Sequence, residues 1–126
     1  MTRPRLLVSG FLVLVFTAGC GGQAPESANV SMLGGNARRG AATIARKGCG
    51  SCHMIPGVAG ADGLVGPPLI HWSRRSFIAG AVPNSPDNLI RWIENPNAVE
   101  PGTAMPDLKL TPQEARDVAA YLHTLR

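Results

Sequence analysis

Two observations predict an all-α domain. No segment alternates apolar and polar residues as a half-buried strand would, and three segments carry helix start and stop signals around apolar residues at helical spacing. Asn36 is placed to cap a helix running to Lys47, with Gly48 ending it just before Cys49. From Met54 to Pro68 the chain is rich in Gly and Pro, with Pro56-Gly57 and Asp62-Gly63 as turn signals, and reads as a long loop. Ser85-Pro86 opens a second helix with Pro at its first position. Leu89, Ile90 and Ile93 form its apolar face, and Asn95-Pro96 stops it. Thr111-Pro112-Gln113-Glu114 is a capping box that opens a third helix running to the C-terminus, with Ala115, Val118, Ala119, Leu122 and Leu125 along one face.

The most informative residues sit between the first helix and the loop. Cys49-Gly50-Ser51-Cys52-His53 has the C-x-x-C-H spacing that attaches a c-type haem. Two thiols three positions apart lie on one turn and can both reach the vinyl groups along one porphyrin edge. His53, following directly, can then bind the iron. The same cysteines would also suit a dithiol redox motif or half of a zinc site. Zinc needs a second ligand pair, and the only other cysteine is Cys20. A thioredoxin-like motif belongs beside a βαβ pattern, which the chain lacks.

The N-terminus points to export. Arg3 and Arg5 precede an apolar run from Leu6 to Phe16 and then the small residues Thr17-Ala18-Gly19-Cys20, in the order of a secretory signal. The run is too short to span a bilayer permanently. Ala18-Gly19-Cys20 resembles the lipobox of bacterial lipoproteins, although Thr17 departs from it. The resemblance implies residues 1–19 as a signal peptide and an acylated Cys20, placing the protein in a bacterial cell envelope on the periplasmic side or the outer face of the cytoplasmic membrane. Residues 20–35 then form an anchor and a tether rich in Gly, Ser, Ala and Gln. Residues 36–126 form one small domain, near the size at which a protein core alone is marginal. A covalent porphyrin would supply the apolar plate that its few aromatics do not.

Charge excludes one class of partner. Without Arg3 and Arg5, ten Lys and Arg stand against eight Asp and Glu, and two haem propionates would bring the balance to about zero. No basic stripe with interleaved aromatics exists to neutralise phosphates, so no nucleic-acid partner is expected. Arg38, Arg39, Arg46 and Lys47 cluster near the attachment segment, either ringing an exposed haem edge or forming a solvated helix face.

From Asn36 to Arg126 the chain resembles the monohaem class I c-type cytochromes. Besides Cys49 to His53, the strongest match is Pro101-Gly102-Thr103-Ala104-Met105-Pro106, similar to the segment that delivers the sixth iron ligand. The resemblance implies the class I cytochrome c fold, helices and loops wrapped around one haem c held by Cys49 and Cys52, with His53 and Met105 on the iron. Thioether ligation raises the reduction potential relative to two nitrogens. Of the other histidines, His71 is expected near the proximal side and His123 toward solvent. Gly66-Pro67-Pro68-Leu69 is similar to the family's turn whose proline carbonyl accepts a bond from the proximal histidine, which implies that role for Pro67. Arg75 falls where relatives place a propionate-binding arginine, with Arg74 the alternative register. Trp92 matches an aromatic of the distal pocket. Gly40, Ile44, Val118 and Tyr121 resemble the family's crossing helices. Trp72 either packs on the haem edge or stands at a docking surface.

The run from Ala79 to Leu89 and on to Met105-Pro106-Asp107-Leu108 is particularly similar to cytochrome c domains fused to subunit II of haem-copper oxidases. No copper-site cysteines or transmembrane hairpin accompany it here. The resemblance therefore implies a separate, monomeric, membrane-tethered carrier and not an enzyme, with a terminal oxidase and a quinol:cytochrome c reductase as redox partners. The competing function is a haem c protein with a peroxidase-like, sensory or assembly role. A peroxidase would want an open sixth position, which Met105 fills.

Overall fold

Asn36 accepts a hydrogen bond from the Arg39 amide at 2.9 Å and so opens α1 (Ala37–Arg46). Gly48, at φ +73°, turns the chain out of it. The computed structural model describes residues 34–126; the signal segment, Cys20 and all but the end of the 20–35 tether lie outside them. Gly34 and Gly35 already lie against the C-terminal helix: Gln113 Nε2 donates to Gly34 O at 3.0 Å, and Gly35 is buried.

The other predicted helices form with their expected caps. In α2 (Pro86–Glu94) the Ser85 hydroxyl accepts from the Asn88 amide, and Leu89 and Ile93 are buried. Asn95-Pro96 ends α2 but also begins a one-turn helix, α3 (Pro96–Val99), because the Asn95 side chain caps the Ala98 amide and Pro suits a first helical position. In α4 (Pro112–Leu122) the predicted capping box is complete, with Thr111 Oγ1 on the Glu114 amide and Glu114 Oε2 on the Thr111 amide. The helix stops four residues short of Arg126.

The fold is mostly helical, with one feature the sequence reading left out. Phe77–Ile78 (β1) and Val82–Pro83 (β2) pair as a short antiparallel hairpin around a turn in which Ala79 and Gly80 both take positive φ. Strands of two residues are too short to show an alternation. Around it Ile44, Ile55, Leu69, Trp72, Ile78, Leu89, Trp92, Ile93, Val118 and Leu122 bury into one core.

The tightest contact is the crossing of α1 on α4. A Cβ at Gly40 would lie 2.0 Å from the Asp117 carbonyl oxygen, so only glycine lets these backbones approach so closely. Polar groups lock the same crossing. The Asp117 carboxylate, 3% exposed, accepts from Arg39 Nε at 2.7 Å, Arg39 Nη2 at 2.9 Å, the Asn36 amide at 2.8 Å and Gln113 Nε2 at 2.9 Å. Tyr121, further along α4, donates to Pro56 O at 2.5 Å and ties the helix to the loop after the cysteines. Among the described residues no helix is long and apolar enough to cross a membrane.

Candidate functional site

Cys49–Ser51 form a 3₁₀ turn directly after the end of α1, and both the Cys52 and His53 amides donate back to Cys49 O, at 3.3 and 3.1 Å. Both thiols are free and half-buried on this turn. Burial pushes the Cys49 thiol above its ordinary pKa, against smaller opposing pulls from a backbone bond and Lys47. Among the described residues no three His, Cys, Asp or Glu side chains gather where they could hold a metal ion.

His53 lies against the loop that follows. Its Nδ1 is 2.8 Å from Pro67 O. A carbonyl only accepts, so Nδ1 carries the proton and Nε2 keeps its lone pair. The ring rests over Gly66, where a Cβ would lie 2.3 Å from Cε1. That loop is lashed to the attachment turn by three backbone bonds: Gly63 N to Gly50 O at 3.0 Å, Gly66 N to Cys52 O at 2.8 Å, and Leu69 N to Met54 O at 2.8 Å.

Met105 belongs to the loop between α3 and α4. The Gly102 amide donates to Asn97 Oδ1 at 3.3 Å, the Thr103 amide to Glu100 O at 3.2 Å, and the Met105 amide to Thr103 Oγ1 at 3.3 Å. Lys47 Nζ, at the end of α1, reaches Lys109 O at 3.0 Å and ties the loop's far side to the cysteine end of the molecule. Met105 is half-buried and packs against the apolar core that contains Trp92, itself 9% exposed.

The two arginines differ in place. Arg74 ends the 3₁₀ turn Trp72–Arg74 and is exposed. Arg75 is half-buried, its guanidinium 5.1 Å from the centroid of the Trp72 ring and donating to Pro68 O. Trp72 is buried at 5% exposure, which excludes a docking surface, and its Nε1 finds no acceptor among the described residues. Asn84 fixes this stretch by donating from Nδ2 to both Trp72 O and Arg75 O at 3.0 Å.

The remaining histidines differ in their surroundings. His71 is exposed, in a left-handed conformation, with Nδ1 2.7 Å from Arg126 O. His123, expected toward solvent, instead buries Nε2 without a partner among the described residues, and burial lowers its pKa. The side chain thus folds inward just past the end of α4.

The basic cluster is mostly committed within the domain. Arg39 pairs with Asp117, and Arg46 and Lys47 reach Glu114 at 2.8 and 3.6 Å. Asp117 and the α3 cap carried no motif of their own. The only trace of Asp117 was its spacing of four from Gln113 on one helix face.

These residues fit a covalent haem: two free thiols on one turn, an imidazole with its second nitrogen open, a ring bed where no Cβ fits, and a soft thioether on a tethered loop. The family model for cytochrome c matches residues 37–126. The chain belongs to the cytochrome c family. One haem c is bound covalently, with Cys49 and Cys52 as its attachment pair, and this cytochrome c is an electron-transfer protein. It is similar to cytochrome c oxidase subunit 2 of Alkalihalophilus pseudofirmus, 29% identical over 91 residues, which cover 71% of this chain and 26% of the relative. The corresponding protein of Bacillus sp. strain PS3 is 31% identical over 87 residues, covering 66% and 24%. The cytochrome thus spans about a quarter of the length of these curated relatives. No solved structure matches it significantly.

Proposed function

We propose that this cytochrome c holds its haem iron between His53 and Met105 and works as a membrane-tethered carrier donating electrons to a terminal oxidase. The observation that carries the ligation is the 2.8 Å contact of His53 Nδ1 with Pro67 O. It commits one ring nitrogen to a carbonyl and leaves the other free as a more basic donor. The haem supplies a one-electron couple. The chain's own residues set its properties: Met105 offers a neutral thioether that favours the ferrous state, and Trp92 keeps the distal side apolar. Arg75, held against Trp72 and Pro68, is the arginine placed to neutralise a propionate, in preference to exposed Arg74.

The oxidase assignment rests on the two relatives, both oxidase subunits with a segment similar to this one. A quinol:cytochrome c reductase is the matching electron donor, and Cys20 is the proposed lipid anchor. The ligation is tested on the oxidised holoprotein, which should show the weak near-infrared sulfur-to-iron band. Met105→Ala should abolish the band and lower the reduction potential. A band that survives the substitution removes Met105 from the iron.

A further inference from the structure

We propose that Arg38 and Arg116, two arginines at the point where the chain enters the domain, rest on anionic phospholipid headgroups of the membrane that carries the Cys20 anchor. The inference rests on the lipid-anchor reading above and adds how the domain is oriented on that membrane. Gly34 and Gly35 form the entry. Gln113 Nε2 donates to Gly34 O at 3.0 Å, and a Cβ at Gly35 would lie 2.2 Å from Arg116 O, so the incoming chain is seated on α4 at this arginine. Half-buried Arg116 donates to the neutral amide oxygen of Gln113 at 2.9 Å and has no ion-pair partner among the described residues. Arg38 follows in the first turn of α1, exposed and likewise without an ion pair among the described residues. That turn holds Arg38 and Arg39 and no acid, although cations there oppose the helix dipole. Asp117 compensates Arg39. The charge of Arg38 calls for a counterpart outside the domain.

Charge across the whole domain is uneven in the same sense. Between residues 34 and 126, α1 with Lys47 and α4 carry five of the ten Lys and Arg but two of the seven Asp and Glu. The remainder holds five cations and five acids. Two haem propionates would make that remainder negative, so the domain is a dipole whose positive part includes the end where the tether arrives. An anionic bilayer attracts this end and repels the other. Chain outside the domain allows the contact, because Cys20 stands fourteen residues before Gly34 and so close to the entry. From there α1 leads away over ten residues, about 15 Å, to the turn that carries the cysteines. Arg38 thus stands clear of the attachment turn, and the cysteine end of α1 is held off the bilayer.

The test is co-sedimentation of the Cys20→Ser holoprotein, which separates headgroup contact from anchoring, with vesicles at about 0.1 M salt, where a Debye length of about 10 Å confines the effect to charges at the contact. The protein should partition onto vesicles of mixed phosphatidylcholine and phosphatidylglycerol, not onto phosphatidylcholine alone, and should be released as salt is raised. Adding Arg38→Gln and Arg116→Gln should weaken partition about 25-fold, since each cation near such a surface contributes about fivefold. The visible spectrum should be unchanged, and Arg38→Lys with Arg116→Lys should bind like the Cys20→Ser parent. Removing the same charge elsewhere, by Arg91→Gln and Arg126→Gln, should change partition by less than about twofold. Equal weakening by the two Gln pairs, or no preference for the mixed vesicles, overturns the arginine contact and leaves the anchor intact. Wild type washed from native membranes by high salt overturns the anchor and leaves the contact. A Gln pair at Arg38 and Arg116 that slows electron transfer to the copper domain of an oxidase subunit II, with vesicle partition unchanged, assigns the arginines to a protein partner and overturns the proposal.

Discussion

At the scale of single residues, the site is governed by one imidazole and the glycine beneath it. Gly66→Ala places a methyl group 2.3 Å from His53 Cε1, so the ring must move and its bond to Pro67 O must weaken. A less basic imidazole stabilises ferric iron less, and the reduction potential should rise. That shift is opposite in sign to the fall expected for Met105→Ala, and potentiometry on the two variants separates the proximal from the distal effect. The cysteines, His53 and the Pro67 contact were legible in sequence because their chemistry is set by neighbours a few positions away. The different surroundings of Arg74 and Arg75 were not. They depend on how a 3₁₀ turn presents consecutive side chains, one exposed and the next laid on Trp72, and no spacing rule carries that. Trp72 and His123 were unreadable for the same reason, since burial at a chain bend depends on what folds over it.

Among elements, the α1 and α4 crossing carries the stability. Asp117→Ala removes an acceptor from the Asn36 amide, Gln113 and Arg39 inside a buried contact, a loss of about 1–3 kcal/mol that denaturant titration should resolve without change in the haem spectrum. Gly40→Ala gains helix propensity of at most about 1 kcal/mol, but it must push the helices apart against a 2.0 Å contact and should be the more damaging change. The crossing also fixes the acid limit. Burial alone would raise the Asp117 pKa, but its bonds from Arg39, Asn36 and Gln113 outweigh that and hold it below 3.8; the Thr111 amide first, then Arg46, bring Glu114 from 4.5 to about 2. Groups with depressed folded values stabilise above their ordinary pKa, and that contribution is lost as pH falls through the depressed one. Stability should therefore hold from neutral pH to about 4.5 and decline down to about 2. Asp117→Asn should flatten the decline in an acid titration followed by circular dichroism. Helix ends were legible because Asn36, Ser85 and Thr111 act on amides two or three residues away. The Arg39 pair was not, because its partner stands 78 residues further on.

For the whole molecule, the question is where the carrier works. The residues from Gly21 to Leu33 lie outside the described part; were they a flexible tether, a chain of that length would have a root-mean-square reach of roughly 20 Å. With Cys20 acylated, the haem domain would stay within a thin layer above the membrane, raising its effective concentration at membrane-bound partners while each contact stays weak. Cys20→Ser should move the protein to the soluble fraction and slow oxidase-dependent turnover at low expression, with the visible spectrum unchanged. Equal fractionation and respiration in mutant and wild type would count against the anchor.

The junction of α1 with α4 also sets a schedule for synthesis. The first helix of the domain finds its partner only after the chain between them, attachment turn included, has left the ribosome. Joining elements so far apart carries a loop-closure entropy that local contacts cannot offset early, so α1 alone is marginal. Until α4 arrives, Tyr121 cannot close on Pro56 in the loop after the cysteines. The loop after the cysteines therefore gains this tie only when the last helix arrives.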